Sequence, residues 1–251
     1  MIDMTGLFNS PFQLSGKRVL ITGASSGIGR SCAIECSKAG ATVIFTGRNE
    51  ERLNEVENQL SGEGHIKLAA DLNDKDQMAN LVNQVGKVDG VVHCAGVSGV
   101  NPMHLLGKGM LVSVFETNYF SPIMLTQQLL IKKMIANKGS IVFMSSIAAK
   151  TGKVGLGPYS GSKSALIGSM HPLALELARH GIRVNALCPG IVDTPLFDSV
   201  GSSLDEVFAK NYPLGLGVPE DVAFAVIYFL SDASLKVTGT SFSLDGGVHF
   251  V

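Results

Sequence analysis

The sequence predicts an α/β fold: one domain on a seven-stranded parallel sheet with helices on both faces. Three observations lead there. Apolar, often β-branched runs alternate with helical segments along the 251 residues. Those runs are apolar throughout rather than at every second position, as strands covered on both faces must be. A glycine-rich turn joins the first strand to the first helix, where an open α/β sheet holds its ligand.

Taken in order, RVLIT (18–22) is the first strand, and GASSGIG leads into a helix over about 27–39 that ends at Gly40. TVIFTG (42–47) is the second strand, and the charged, periodic NEERLNEVENQL is a helix with one face in solvent. IKLAADL (66–72), GVVHCAG (90–96), SIVFMSS (140–146), RVNALCPG (183–190) and TSFSLDGG (240–247) supply the other five strands. A polar helix follows the third strand, a helix over 111–136 precedes the fifth, and another begins near Tyr159. Pro172 lies inside that last helix, lacks a backbone donor and predicts a kink. Residues 1–15 read as a short arm on a domain spanning 16–251. The segment 193–217, with Gly, Ser and Pro around a short helix, reads as a lid beside the strand ends.

Composition excludes several functions. Twenty basic residues against 21 acidic ones give a net charge of −1, without the basic excess of a nucleic-acid binder. The longest obvious apolar run, VAFAVIYFL (222–230), falls short of the roughly 18–20 residues that span a bilayer. The N-terminus carries no signal-peptide pattern, so a cytoplasmic protein is expected. Cys32, Cys36, Cys94 and Cys188 form no CxxC pair, and none stands beside a histidine at ligand spacing. No metal site is expected, and the thiols read as small buried side chains in a reducing compartment.

Gly23, Gly27 and Gly29 are spaced GxxxGxG between strand and helix. Glycines there keep the turn tight and let a pyrophosphate reach the backbone near the helix N-terminus. The end of the second strand faces the adenosine ribose in such a fold. An acid there would bind the 2′-hydroxyl of NAD(H); this chain has Gly47 and then Arg48. A guanidinium suits a 2′-phosphate, which favours NADP(H) over NAD(H). Asp71 and Leu72, at the end of the third strand, would border the adenine.

Tyr159 and Lys163 stand four apart at the start of a helix, on one face. An ammonium beside a phenol lowers the phenol's pKa, as an acid/base catalyst requires. Ser146 lies at the tip of the fifth strand, and Asn118 lies within the preceding helix as an inward polar side chain needing a partner.

These segments together resemble the short-chain dehydrogenase/reductase family from about Gly16 to Gly247. TGASSGIG (22–29), SSIAAKTGKVGLGPYSGSK, NALCPGIVDTPL and VTGTSFSLDGG match its successive motifs. The chain is most similar to the single-domain reductases of the 3-oxoacyl-carrier-protein reductase type. The resemblance implies a Rossmann-fold oxidoreductase that moves a hydride between a nicotinamide cofactor and a carbonyl or secondary alcohol. It gives Tyr159 the proton transfer and Lys163 the nicotinamide ribose. It gives Ser146, rather than Ser145, the substrate oxygen, and gives Asn118 a water linking Lys163 to solvent. It implies cofactor contacts from Gly23, Ser25, Ser26, Gly27, Ile28 and Gly29, from Ala95 and Gly96, and from Pro189, Gly190, Ile191, Val192 and Thr194. It also implies a homotetramer.

The chain departs from the family where HCAG replaces NNAG, putting His93 and Cys94 in place of two asparagines. That bears on local stability more than on activity. The expected substrate pocket, from 97–106, 147–158 and the lid, is apolar or small except for Lys150 and Lys153. It suits a fairly apolar carbonyl such as a 3-oxoacyl thioester, with another ketone, a sugar or a steroid alcohol as alternatives. An acidic acyl carrier protein would need basic residues beside the site, for which KKMIANK (132–138) and RHGIR (179–183) are candidates. A non-catalytic dinucleotide-binding regulator is the reading from another class. The retained Ser146, Tyr159, Lys163 and Asn118 speak against it.

Overall fold

A computed structural model describes residues 10–198 and 212–250, without the side chains of 197, 198 and 250. Seven parallel strands form one sheet: β1 (Arg18–Thr22), β2 (Thr42–Gly47), β3 (Ile66–Ala69), β4 (Val88–His93), β5 (Ile135–Met144), β6 (Arg183–Pro189) and β7 (Ser241–Leu244). Their spatial order is β3-β2-β1-β4-β5-β6-β7. The chain leaves β1 in one direction and returns through β4 in the other. A crevice must therefore open beyond the C-terminal ends of β1 and β4.

Alternate strand residues feed two cores. Val19, Ile21, Phe45, Val92 and Val142 pack under helices α1 (Gly27–Lys38) and α2 (Glu50–Glu57) and the late helix Pro219–Leu230. Leu20, Ile44, Val91, Ile141 and Phe143 pack under α3 (Lys75–Val85), α5 (Ser121–Ile131) and α6 (Gly157–Leu177). α4 (Lys108–Phe115) and the short α7 (Pro195–Asp198) flank the strand tips, and the late helix is α8. Burial of the strands on both faces is why they lack alternation.

Several boundaries differ from those expected. β3 stops at Ala69, opposite the last residue of β2, Gly47, so Asp71 and Leu72 lie beyond the strand. β4 ends at His93, leaving Cys94, Ala95 and Gly96 as the loop above it. β5 ends at Met144, and Ser146 instead starts a 3₁₀ turn, Ile147–Ala149. The long helix expected over 111–136 is broken. A π-helical turn, Glu116–Phe120, joins α4 to α5, and Lys133 at φ 54° ends helical backbone before β5 begins at Ile135. Pro172 sits on the exposed side of α6, which continues to Leu177.

The described part of the arm packs on the domain. Leu14 is buried, and the Pro11 carbonyl accepts from Ala233 N at 3.0 Å. Of the expected lid, residues 199–211 lie outside the described residues. Its two ends are held together by Asp193 N to Gly217 O at 3.0 Å and Gly217 N to Ile191 O at 3.1 Å.

The two basic segments do not flank the strand tips. They lie at the opposite, N-terminal ends of β5 and β6. Arg183 is also no surface cation: it is buried and donates to the Phe229 carbonyl at 2.6 Å, satisfying the end of α8. Lys132 is engaged with the Asn83 side chain. Neither segment supplies a docking face beside the site.

Candidate active site

The crevice begins at the glycine turn. Gly23 has φ 66°, and a Cβ there would lie 2.7 Å from the Ala95 backbone. A Cβ on Gly29 would lie 2.3 Å from the Gly23 carbonyl oxygen. The turn must be glycine because two backbones meet in it. Ser26 is the N-cap of α1, yet its side chain makes no capping bond and the first turn carries no acid. The first N–H groups of α1 are left to an external acceptor. That cradle fits a pyrophosphate, with the helix dipole favouring the negative charge.

A cleft of about 200 Å³ runs from this cradle over the tips of β2, β3 and β4. It brings together Gly23, Ser25, Ser26, Gly27, Ile28 and Gly29 with Arg48, Asp71, Leu72, Ala95 and Gly96. Arg48 is exposed at the rim, and among the described residues no carboxylate pairs with it.

Beyond Gly96 a second cavity of about 630 Å³ opens, lined mainly by apolar side chains such as Val100, Ile147, Leu156 and Leu196. Ser146, Tyr159, Lys163 and Pro189 through Val192 line it, and Ile28, Gly96 and Thr194 line both cavities. Lys153 lies on its wall, whereas Lys150 is turned away to the Ser241 carbonyl and Ser243 Oγ of β7.

At the junction of the cavities, Tyr159 and Lys163 rise one turn apart on α6. Lys163 is buried and its Nζ donates to the Met144 carbonyl at 2.8 Å. Burial lowers its pKa to about 8. The same Nζ lies 5.7 Å from the centre of the Tyr159 ring. Burial raises the Tyr159 pKa, and the facing Ser146 hydroxyl pulls the other way. The net direction is opposite to that expected from the lysine alone, because desolvation of the phenolate outweighs its neighbours.

Ser146 and Ser145 are separated by their bonds. Ser145 Oγ donates to the Lys163 carbonyl at 2.9 Å, fixing α6 to the end of β5. Ser146 Oγ accepts from Ala148 N at 3.1 Å and keeps its proton for another partner. Asn118 is fully buried in the π turn. Its Oδ1 accepts from Val97 N at 2.8 Å, and its Nδ2 donates to Val97 O at 3.0 Å and Ser162 Oγ at 3.1 Å. A Cβ added to Gly96 would touch both Asn118 Oδ1 and Lys163 Nζ. Such an array can polarise a carbonyl oxygen at Ser146 and Tyr159 and carry charge on Lys163 behind them.

A family model described as enoyl-(acyl carrier protein) reductase matches residues 23–249. A 3-oxoacyl-[acyl-carrier-protein] reductase of Rickettsia bellii is 35% identical over 95% of this chain and 99% of its own. A short-chain type dehydrogenase/reductase of Mycobacterium marinum superposes with a TM-score of 0.87 at 30% identity, covering 94% of this chain and 97% of the other. The chain belongs to the short-chain dehydrogenase/reductase family. A (3R)-3-hydroxyacyl-CoA dehydrogenase of Canis lupus familiaris is similarly related, at 33% identity over 96% of this chain and 99% of its own. Members of this oxidoreductase family bind a nicotinamide dinucleotide.

Against the family pattern, the two replaced asparagines acquire clear structural places. His93 is buried, stacks on Phe143 with ring centres 4.9 Å apart, and meets Thr126 Oγ1 at 2.9 Å. Because Thr126 Oγ1 donates to the Pro122 carbonyl, it accepts from His93 Nε2–H, and Nδ1 has no partner among the described residues. The histidine therefore hydrogen-bonds β4 to α5, while its ring stacks on the neighbouring strand β5.

Burial lowers the His93 pKa to about 3, against about 6.5 in an unfolded chain. Its stabilising contribution is complete above about pH 6.5 and declines as pH falls towards 3, at up to about 1.4 kcal/mol per pH unit. Urea unfolding of His93→Asn should therefore lose about 2 kcal/mol less between pH 7 and pH 5 than the wild type does. Equal losses would show that His93 protonates freely in the folded protein.

Sequence reasoning missed Tyr212. Its hydroxyl accepts from Ile191 N at 3.0 Å and its ring closes on Gly190, so it holds the loop after β6. The one available signal was a lone tyrosine inside the 193–217 segment. Thr22 was also missed; its hydroxyl accepts from Ala95 N at 3.2 Å and pins the loop that faces the glycine turn.

Proposed function

We propose that this protein is an NADP(H)-dependent reductase of 3-oxoacyl thioesters. The observation that carries the reading is the convergence of Ser146, Tyr159 and Lys163 where the glycine cleft meets an apolar chamber. When bound in the cleft, the nicotinamide supplies the hydride. Burial keeps the Tyr159 phenol protonated at neutral pH, so it can donate its proton to the substrate carbonyl oxygen. The Ser146 hydroxyl donates a hydrogen bond to the same oxygen and orients it. Lys163 holds the ribose hydroxyls and places positive charge behind the phenol. Asn118 is a positioning residue, fixing Val97 and α6 around that lysine.

Arg48 binds the 2′-phosphate, and Asp71 and Leu72 border the adenine. Pro189, Gly190, Ile191, Val192 and Thr194 enclose the nicotinamide side. The apolar chamber favours an acyl chain over a sugar. The named relatives act on a carrier-protein thioester and a CoA thioester, which share the β-oxygenated acyl group. We place the enzyme in the cytoplasm as a homotetramer. The exposed apolar residues Met110, Val112, Phe120 and Met124 on α4, α5 and the turn between them support that assembly.

The test is consumption of NADPH and NADH with acetoacetyl thioesters of CoA and of carrier protein, beside a panel of ketones and sugars. Fast turnover of a thioester with NADPH is expected. Turnover of another ketone alone would discard the thioester reading. In the same assay Arg48→Ala should raise the KM for NADPH about 10- to 100-fold, the loss of a charge-assisted bond, and leave that for NADH within about twofold. Equal changes would remove Arg48 from the 2′ position.

A further inference from the structure

The mouth of the apolar chamber is cationic. Among the described residues two ammonium groups line the chamber, Lys163 at the junction with the glycine cleft and Lys153, and no carboxylate lines it. Lys153 stands where the chamber meets solvent: it is exposed, and its neighbour Val154, on the same wall, is 94% exposed. The loop that carries it is fixed on both sides. Gly155 has φ 82°, its carbonyl accepts from Asn101 N at 2.8 Å, and a Cβ on it would lie 3.2 Å from Val100 Cγ1. Lys150, which leads into the loop, is fastened to β7.

The sequence concentrates positive charge on this side. Between Asp89 and Glu176 it has seven lysines and one acid, Glu116, although the whole chain carries −1. The segments 97–106 and 147–158 that frame the chamber come from that stretch and contain no acid. An ammonium at the edge of an apolar wall attracts an anion more strongly than one in open water, because the wall replaces part of the screening solvent. Partial burial lowers the Lys153 pKa, and a nearby anion offsets that loss of hydration.

We propose that Lys153 is a specificity residue that pairs with a negatively charged group of the substrate at the mouth of the chamber, so that anionic carbonyl substrates are preferred to neutral ones of similar shape. This pairing rests on the thioester reading for the place of the reacting carbonyl, at Ser146 and Tyr159. With the carbonyl there, one end of the substrate lies along the apolar wall and the other leaves through the mouth. For a thioester of CoA or of a carrier protein, the departing end is the pantetheine arm, whose phosphate carries the charge. A carboxylate at the far end of the acyl chain is the other source of the same chemistry. An ammonium on a flexible four-carbon stem suits an anion whose distance from the carbonyl varies.

The experiment compares kcat/KM at saturating NADPH for 3-oxoacyl thioesters in matched pairs. One pair is acetoacetyl phosphopantetheine against acetoacetyl pantetheine. The other is a pantetheine thioester whose 3-oxoacyl chain ends in a carboxylate, against its methyl ester. Wild type should prefer the charged member of at least one pair, and added salt should reduce that preference. Lys153→Met should lower the charged-to-neutral ratio about tenfold, mainly through KM, as the loss of a hydrogen bond to a charged group implies. Lys153→Arg should keep the ratio, and so should Lys150→Met, which removes a cation that faces β7. The pair that responds identifies the source of the charge. No preference in wild type, a preference that survives Lys153→Met, or one lost equally in Lys150→Met overturns the proposal. If no thioester is turned over, the thioester reading fails. The ratio for a keto acid against its methyl ester, in wild type and Lys153→Met, then decides the role of Lys153 in the same way.

Discussion

Tyr159→Phe is expected to lower carbonyl reduction by about 10³-fold while NADPH affinity stays within about twofold. The change removes one oxygen and leaves the ring packed on α6. General acid catalysis contributes roughly 10²–10⁴-fold, and the phenol is the proton donor in the proposed mechanism. Ser146 remains, but its hydroxyl is a far weaker acid than a phenol. The contrast with binding gives the result its meaning, since a structural lesion would lower both. Single-turnover reduction with saturating NADPH measures the first quantity and fluorescence titration the second. Activity within tenfold of wild type would overturn the acid assignment.

The sheet was legible because its signals are physical requirements. Strands buried on two faces must be apolar throughout, and β1, β2 and β6 are, so their bounds were read within a residue. Gly23 and Gly29 were legible because only glycine fits where the turn meets Ala95 and its own carbonyl. The limits of β3 were not, since an edge strand ends where its partner β2 ends, and that is a pairing fact. The π turn at Glu116–Phe120 was hidden because its residues suit an α-helix equally well. It exists where Asn118 must reach Val97 and Ser162 together.

Spacing placed Tyr159 and Lys163 on one face but could not weigh charge against burial. Desolvation wins at both, raising one and lowering the other. The basic segments failed for a related reason. A run of lysines and arginines reveals nothing of which end of a strand it occupies. Arg183 proved to be the buried partner of a helix end.

Lys163→Met should reduce kcat/KM about 10²- to 10³-fold and yet make the protein more stable at neutral pH. The two effects share one cause. Burial lowers the lysine to about 8, against about 10.4 for an unfolded lysine. Between those values the unfolded chain binds the extra proton, so the lysine's contribution improves as pH rises through that window and is least favourable below about 8. At pH 7 the buried charge costs about 3 kcal/mol at 1.36 kcal/mol per unit. The hydrogen bond to Met144 returns about 1 kcal/mol of it.

Methionine fills a similar volume without the charge, so a gain of about 2 kcal/mol at pH 7 is expected, falling to zero at about pH 10 and becoming a loss of about 1 kcal/mol above it, where only the missing hydrogen bond counts. In the wild type, reduction should hold steady below about pH 8 and fall above it, as Lys163 loses its charge behind the phenol. The variant should lack that limb. A methionine enzyme that is less stable at pH 7 and retains the wild-type pH profile would make Lys163 a structural residue. A gain in stability with loss of turnover means that the fold carries an unfavourable buried charge for what it does to the neighbouring phenol and the ribose.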